Sequence, residues 1–287
     1  MLAMPLHLLC HHPSLPSSAL LFLLLFSPAL CSHQVCNVTQ HQSLFRVFHS
    51  FIPSTFPLLN HTSTLDCCYW EGILCDQNGH VTRPSLPSKG LEGGISPFLS
   101  NLTELSHINL SNNRLRGQLP TDLFASLHFL EILDLSFNYL AGEFRASFRP
   151  SRNWVYLNIS HNDFSGSLPN SICGGHNVVR VLDFSFNAFN GQIPPGLGAC
   201  SQLEVFNAGF NKLSEHLPKE IYGALGLREL TLPSNNLMGS IDSRIVLLSK
   251  LTILDLHSNN LTGELPWDFG KLSNLKSLVL KMNNFRG

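Results

Sequence analysis

Residues 251–259 read LTILDLHSN, in which Leu251, Leu254 and Leu256 precede Asn259 at fixed spacings. The same pattern, LxxLxLxxN with x for any residue, leads up to an asparagine every 24 or 25 residues along the chain. These asparagines are Asn113, Asn138, Asn162, Asn187, Asn211, Asn235, Asn259 and Asn283. A period of this length indicates a chain built from one small structural unit in tandem.

The period and the leucine spacing are those of the leucine-rich repeat. The LxL part of each repeat predicts a short strand, and neighbouring coils stack their strands into one parallel sheet about 4.8 Å apart. A buried asparagine amide satisfies backbone groups of adjacent coils, each of which otherwise costs about 1 to 3 kcal/mol. We therefore expect an α/β solenoid of about nine repeats over residues 81–287, with the parallel sheet on its concave face and no C-terminal cap.

The second half of each repeat follows an NxLxGxIP pattern, as in residues 187–194 (NAFNGQIP). Glycine permits a tight bend there, and proline ends a second short strand. This half resembles the plant-type, extracellular subclass of leucine-rich repeats.

The first residues carry an export signal. Residues 19–26 (ALLFLLLF) form an apolar run, and Pro28 and the small-residue pattern Ala29-Leu30-Cys31 follow it. We interpret residues 1–31 as a signal peptide, because the run is shorter than the roughly 20 residues that an uncleaved membrane anchor requires. A cap over residues 32–80 then precedes the repeats. The chain as written is expected in the secretory pathway, as a secreted or apoplastic product.

Six cysteines remain after the leader, and four of them precede the first repeat. Residues 66–75 read DCCYWEGILC, which resembles the DCCxWxGxxC cap of plant leucine-rich repeat receptors. That resemblance implies disulfides between Cys36 and Cys67 and between Cys68 and Cys75. A zinc site is the competing interpretation, but an adjacent cysteine pair in an exported chain favours disulfides. Apolar residues at helical spacing predict a cap helix over residues 40–51.

Two further features bear on an extracellular chain. Cys173 and Cys200 lie in adjacent repeats and are either bridged or buried as free thiols. Sequons for N-glycosylation stand at Asn37, Asn60, Asn101, Asn109, Asn158 and Asn260. The net charge is −1 without a continuous basic stripe, which argues against nucleic acid as a partner.

Strand side chains that are not leucine face solvent on the inner curve, because side chains alternate along a strand. We expect these polar positions to form a hydrogen-bonding track for an extended peptide. Two aromatic side chains beside the track are interpreted as cross-strand packing rather than as ligand contacts. Glycan at Asn109 or Asn158 would stand on the same face. The candidate binding residues are Asp134, Asp183, Asn207, Phe186, Phe210, Glu229 and Asp255.

Residues 205–222 (VFNAGFNKLSEHLPKEIY) and 251–271 (LTILDLHSNNLTGELPWDFGK) resemble the ectodomain of plant tyrosine-sulfated glycopeptide receptors, relatives of the phytosulfokine receptors. The resemblance implies a plasma-membrane receptor kinase that binds a secreted, sulfated peptide hormone and then a co-receptor kinase with the same repeats. The later repeats, membrane span and kinase are not found in these 287 residues, so we expect a truncated, non-signalling product. The sulfate pocket is expected beyond residue 287, because this face carries mainly carboxylates between Arg83 and Lys281.

The alternative function is that of a secreted protein similar to the polygalacturonase inhibitors, which bind a pathogen enzyme. Those proteins end in a cysteine-bearing cap, whereas no cysteine follows Cys200 here. An enzyme is the third hypothesis, but no phosphate loop, kinase catalytic loop or Ser-His-Asp set falls in the repeat frame. We expect no cofactor and no metal site.

Overall fold

The computed structural model describes residues 35–52, 66–144, 153–173 and 178–286. The predicted signal peptide and the sequon at Asn60 lie outside these residues. Among the described residues, no helix combines the length and the apolar character that crossing a bilayer requires.

The LxL segments form one sheet, here called the LxL sheet. It contains eight strands within the described residues, all parallel and in sequence order. The register keeps the repeat frame, so that Leu182 lies opposite Leu157 on one side and Phe206 on the other. The strands are His107–Asn109, Ile132–Asp134, Tyr156–Asn158, Val181–Asp183, Val205–Asn207, Glu229–Thr231, Ile253–Asp255 and Ser277–Val279. The predicted parallel-sheet solenoid is confirmed.

The NxLxGxIP halves form a second sheet, of ten strands within the described residues. Its first pair is antiparallel and the others are parallel. The strands are Phe51–Ile52, Glu92–Gly93, Arg114–Gly117, Tyr139–Glu143, Asp163–Ser167, Ala188–Gln192, Lys212–His216, Asn236–Gly239, Asn260–Gly263 and Asn284–Phe285.

Short helices close the coils. The 3₁₀ helices are Cys67–Tyr69, Pro97–Asn101, Pro195–Ala199, Lys219–Gly223, Ser243–Leu247 and Trp267–Lys271, and Leu123–Ser126 is a single α-helical turn. The core is one continuous cluster of leucine, isoleucine and phenylalanine side chains from every described coil. Because each coil buries its leucines only against its neighbours, the stack is stable as a whole rather than coil by coil.

The cap closes the first coil. Its helix spans Val38–Ser50, two residues earlier at its start than predicted, because the Asn37 side chain caps the helix by accepting from the backbone N–H groups of Thr39 and Gln40. It ends one residue early because Phe51 is extended and pairs with Gly93. A two-stranded antiparallel sheet, Ile73–Cys75 with Val81–Pro84, completes the cap.

Both predicted disulfides of the cap, Cys36–Cys67 and Cys68–Cys75, are confirmed. The sulfurs of Cys36, Cys67 and Cys68 and the Asp66 carboxylate form a cluster of metal-ligating types. However, the sulfurs are bonded to one another, and Asp66 Oδ1 accepts from the backbone N–H groups of Cys36 at 2.8 Å and Cys68 at 3.0 Å. The cluster is therefore a covalent and hydrogen-bonded staple.

Candidate functional site: the exposed face of the LxL sheet

The repeated asparagines, here called the asparagine ladder, lie behind the exposed face and bond the backbone of adjacent coils. In Asn211, Oδ1 accepts from the Phe189 N–H at 2.9 Å, and Nδ2 donates to the carbonyls of Phe184, Ala208 and Gly209. One amide thus ties its own coil to the preceding one. Equivalent bonds are made by the other members, Asn113, Asn138, Asn162, Asn187, Asn235, Asn259 and Asn283.

The third residue of each LxL strand lies on the exposed face, and we call this row the face column. Its members are Asn109, Asp134, Asn158, Asp183, Asn207, Thr231, Asp255 and Val279. The structure places the acidic and amide members in the middle range of burial, with one oxygen already used. Asp183 Oδ1, for example, accepts from the Ser185 N–H at 2.9 Å and from Ser185 Oγ at 2.6 Å.

The same bond to the residue two positions on recurs at Asp134, Asn207 and Asp255. Each of these side chains therefore forms an Asx turn at the end of its own strand, and the oxygen that makes this bond is not free for a ligand. The second carboxylate oxygen is the one left for other contacts. In Asp183 this oxygen, Oδ2, accepts from Asn207 Nδ2 at 3.1 Å. The use of these side chains as a hydrogen-bonding track for a peptide stays a prediction.

The pKa of Tyr156, the first residue of its strand, responds to the negative charges on the face. Burial raises the pKa of its phenol above the ordinary value of 10.0, and the nearby carboxylates of Asp134 and Asp183 raise that pKa further. The Asn158 amide, which donates to the phenolic oxygen at 3.2 Å, opposes this shift. Glu229 occupies the same strand position three coils later and is also partly buried.

Phe186 and Phe210 do not lie on the strands but in the turns that follow them, in the left-handed region with φ of 52° and 56°. Their rings stack at 4.2 Å with an angle of 10° between planes. His161 and Phe137 extend this aromatic stack at centroid distances of 4.1 and 4.0 Å. The rings pack face to face and leave their edges exposed, 41% of the residue surface for Phe186 and for Phe210.

A row of charges along the strand starts was missed by the sequence analysis. Arg180 Nη1 lies 2.9 Å from Glu204 Oε1, and Arg228 Nε lies 3.6 Å from Glu204 Oε2. Lys250 lines a shallow cavity of about 210 Å³ with these three residues. We call Arg180, Arg228, Lys250 and Lys276 the basic edge. The rim of the face therefore carries cations beside strand positions that hold mainly carboxylates between Arg83 and Lys281.

The basic edge had a detectable signal in the repeat frame. Arg180, Glu204, Arg228, Thr252 and Lys276 each directly follow the first apolar residue of an LxxLxL segment. This position lies three residues before the x inside LxL, from which the face column was predicted.

The sequons differ in their surroundings. Asn101 and Asn260 are exposed, although the Asn101 amide donates to Ser43 Oγ at 3.3 Å. Asn109 and Asn158 lie in the face column and are partly buried. On the opposite side of the coils, the structure joins Cys173 to Cys200 by a disulfide.

The repeats and the fold match known proteins. The family model described as Leucine Rich Repeat matches residues 104–126, 153–174, 179–200 and 250–272. The chain therefore contains leucine-rich repeats. Receptor-like protein 3 of Arabidopsis thaliana is 38% identical over 114 residues, which are 39% of this chain and 15% of that relative. Phytosulfokine receptor 1 of the same plant is 42% identical over 86 residues, which are 29% of this chain and 8% of that relative.

A solved structure covers more of the chain. The crystal structure of the Arabidopsis receptor kinase HAESA, in complex with the peptide hormone IDA and the co-receptor SERK1, superposes with a TM-score of 0.78 at 29% identity. The superposition covers 87% of this chain and 42% of the HAESA chain. The protein is homologous to plant leucine-rich repeat receptor kinases, phytosulfokine receptors among them, and folds as their ectodomains do.

Proposed function

We propose that this chain is a ligand-binding part of the extracellular domain of a plant receptor-like protein or receptor kinase, and that its ligand is a secreted peptide. The repeats bind, and they perform no catalysis. The location is the outer side of the plasma membrane for a receptor that continues into a membrane anchor.

One observation carries this proposal: the LxL sheet presents an uncovered polar face, bordered by the aromatic stack on one side and the basic edge on the other. An extended peptide fits such a face because it needs hydrogen-bond partners and shallow pockets at regular intervals. The likeness to an ectodomain solved with a peptide hormone supports this use of the face.

Two finer statements extend the proposal. The resemblance to phytosulfokine receptors supports a tyrosine-sulfated ligand, and Arg180 and Arg228 supply guanidinium groups of the kind that hold such an anion. The presence of a co-receptor in the HAESA complex supports a second leucine-rich repeat kinase as a partner.

The test is selection of ligands on the purified, glycosylated chain. A displayed library of random dodecapeptides is panned on the wild-type chain, and the affinities of the enriched peptides are then measured by calorimetry. We expect Glu229→Lys to weaken the binding of enriched basic peptides about tenfold, because an attractive charge on the face becomes a repulsive one, and to strengthen the binding of enriched acidic peptides.

Asp163→Lys is the matched control, because Asp163 is an exposed carboxylate in the second sheet, away from the face. Peptides that bind both variants as they bind the wild type, or no enriched peptides at all, would overturn the proposal.

A further inference from the structure

The charges along the strand starts follow a regular order. Arg180, Glu204, Arg228, Thr252 and Lys276 stand on five successive coils, and backbone N–H groups join each to the carbonyl of the one before at 2.7 to 2.8 Å. Read along the sheet, the side chains are positive, negative, positive, neutral and positive. The alternation fails only at Thr252.

Glu204 shows how this edge holds a carboxylate. Its two oxygens take one arginine each, Arg180 from the preceding coil and Arg228 from the following coil. All three side chains remain at least one-third exposed, so the arrangement is open to water and to ligands.

Thr252 also has a cationic residue on each neighbouring coil, Arg228 and Lys276, but it carries no carboxylate. Thr252 Oγ1 donates to the Arg228 carbonyl at 2.8 Å, so the side chain folds back onto the backbone. Within residues 178–286, Lys250 and Lys276 form no ion pair, and Arg228 pairs only with Glu204, at 3.6 Å. Thr252, which carries no anion, thus lies between Arg228 on the preceding coil and Lys276 on the following coil, and Lys250 precedes it by two residues.

We propose that the Thr252 position is a carboxylate-binding subsite, which takes an acidic side chain of a peptide ligand. The incoming carboxylate takes, beside Arg228 and Lys276, a place equivalent to the one that Glu204 occupies two coils earlier. The inference rests on the proposed peptide-binding function and adds the chemistry of the ligand.

The subsite can be tested with a side chain of the protein itself that competes with the ligand for it. Thr252→Glu places a tethered carboxylate in the subsite, and Thr252→Gln has nearly the same size without the charge. Both variants lose the Thr252 hydroxyl bond equally. The probe is a fluorescein-labelled octapeptide of alternating Asp and Glu, its isostere of Asn and Gln is the uncharged counterpart, and binding is followed by fluorescence anisotropy at low salt.

We expect the acidic probe to bind the wild type and Thr252→Gln alike, and to bind Thr252→Glu and Arg228→Gln about tenfold more weakly. Binding should weaken with added salt, because exposed charges are screened within about 8 Å at physiological ionic strength. Lys212→Gln, which removes an exposed cation from the second sheet, should leave binding unchanged.

Equal binding of the acidic and neutral probes, or undiminished binding to a Thr252→Glu variant whose melting curve matches the wild type, would overturn the subsite. If library peptides bind through Glu229 while the acidic probe does not bind, the subsite fails and the proposed function stands. If the probe binds as expected while no library peptide does, the subsite stands and the proposed function fails.

Discussion

Two polar rows run the length of the solenoid, the asparagine ladder and the face column, only a few residues apart in each repeat. They contain similar side chains with different roles. The asparagine ladder is largely buried, and each amide joins two coils by at least four hydrogen bonds, four in the case of Asn211. The face column is partly exposed, and Asn207 accepts from the N–H of Gly209 on its own coil and donates to the carboxylate of Asp183 on the preceding coil.

The difference shows that residue type does not decide the role of an amide or carboxylate in a repeat. Burial and the number of backbone groups that depend on the side chain decide it. Loss of a buried amide strands several donors and acceptors, whereas water replaces the bonds of an exposed one. The ladder therefore carries stability, and the face has polar atoms to spare for a ligand.

The largest expected effect breaks the ladder. Asn211→Ala leaves the Phe189 N–H without its partner inside the core and leaves the Phe184 carbonyl with the Asn187 amide alone. We expect a loss of about 3 to 5 kcal/mol in the free energy of unfolding, measured by urea denaturation. Asn207→Ala is the matched control on the face and should cost about 0.5 to 1 kcal/mol. Equal costs at the two positions would contradict the contrast between the rows.

A smaller effect is expected in the aromatic stack, which lies between the two rows. Phe186→Leu keeps an apolar side chain and the left-handed backbone but removes ring contacts with His161 and Phe210. We expect a loss of about 1 kcal/mol, because stacked aromatic pairs contribute roughly 0.5 to 1.5 kcal/mol beyond burial. Leu225→Ala, at an exposed leucine away from the stack, should change the unfolding midpoint far less. No change for Phe186→Leu would show that the stack contributes nothing to folding.

The smallest effect concerns the charge of the face column. Replacing Asp134 and Asp183 by asparagine removes two charges that raise the pKa of Tyr156, while burial, the larger cause, remains. The pKa should fall but stay above 10.0, as followed by tyrosinate absorbance with Tyr156→Phe subtracted. An unchanged pKa would mean that these carboxylates do not act on the phenol.

The sign of the pH effect follows from the same shift. Since the folded chain holds the phenolic proton more tightly than the unfolded chain, the contribution to stability is complete below pH 10.0 and is lost as pH rises through the raised pKa. The double Asp→Asn variant should lose less stability over that range than the wild type.

The sequence predicts the fold well because the same pattern of leucines and asparagines recurs in every repeat. Leu182 and Leu230 occupy equivalent places in coils of one geometry, so an error in one coil is corrected by its neighbours. The cap disulfides follow from a motif of similar specificity. By contrast, the helix start at Asn37 depends on a local hydrogen bond that periodicity does not reveal.

The candidate site was harder to predict. The repeat frame indicates which residues face solvent, but not that Asp183 bonds Ser185 or that Arg180 and Arg228 share Glu204. Those contacts depend on side-chain torsions and on the distance between coils, which a single strand position does not encode. The left-handed turns that bring Phe186 and Phe210 face to face are equally absent from strand alternation.

The most direct test of the central claim, that the exposed face of the LxL sheet is the ligand site, is photo-crosslinking of a selected peptide that carries benzophenone at successive positions. The account predicts that mass spectrometry finds the adducts on face residues such as Tyr156, Glu229 and Lys276. Adducts confined to the second sheet, for example at Tyr139 and Met238, would contradict it.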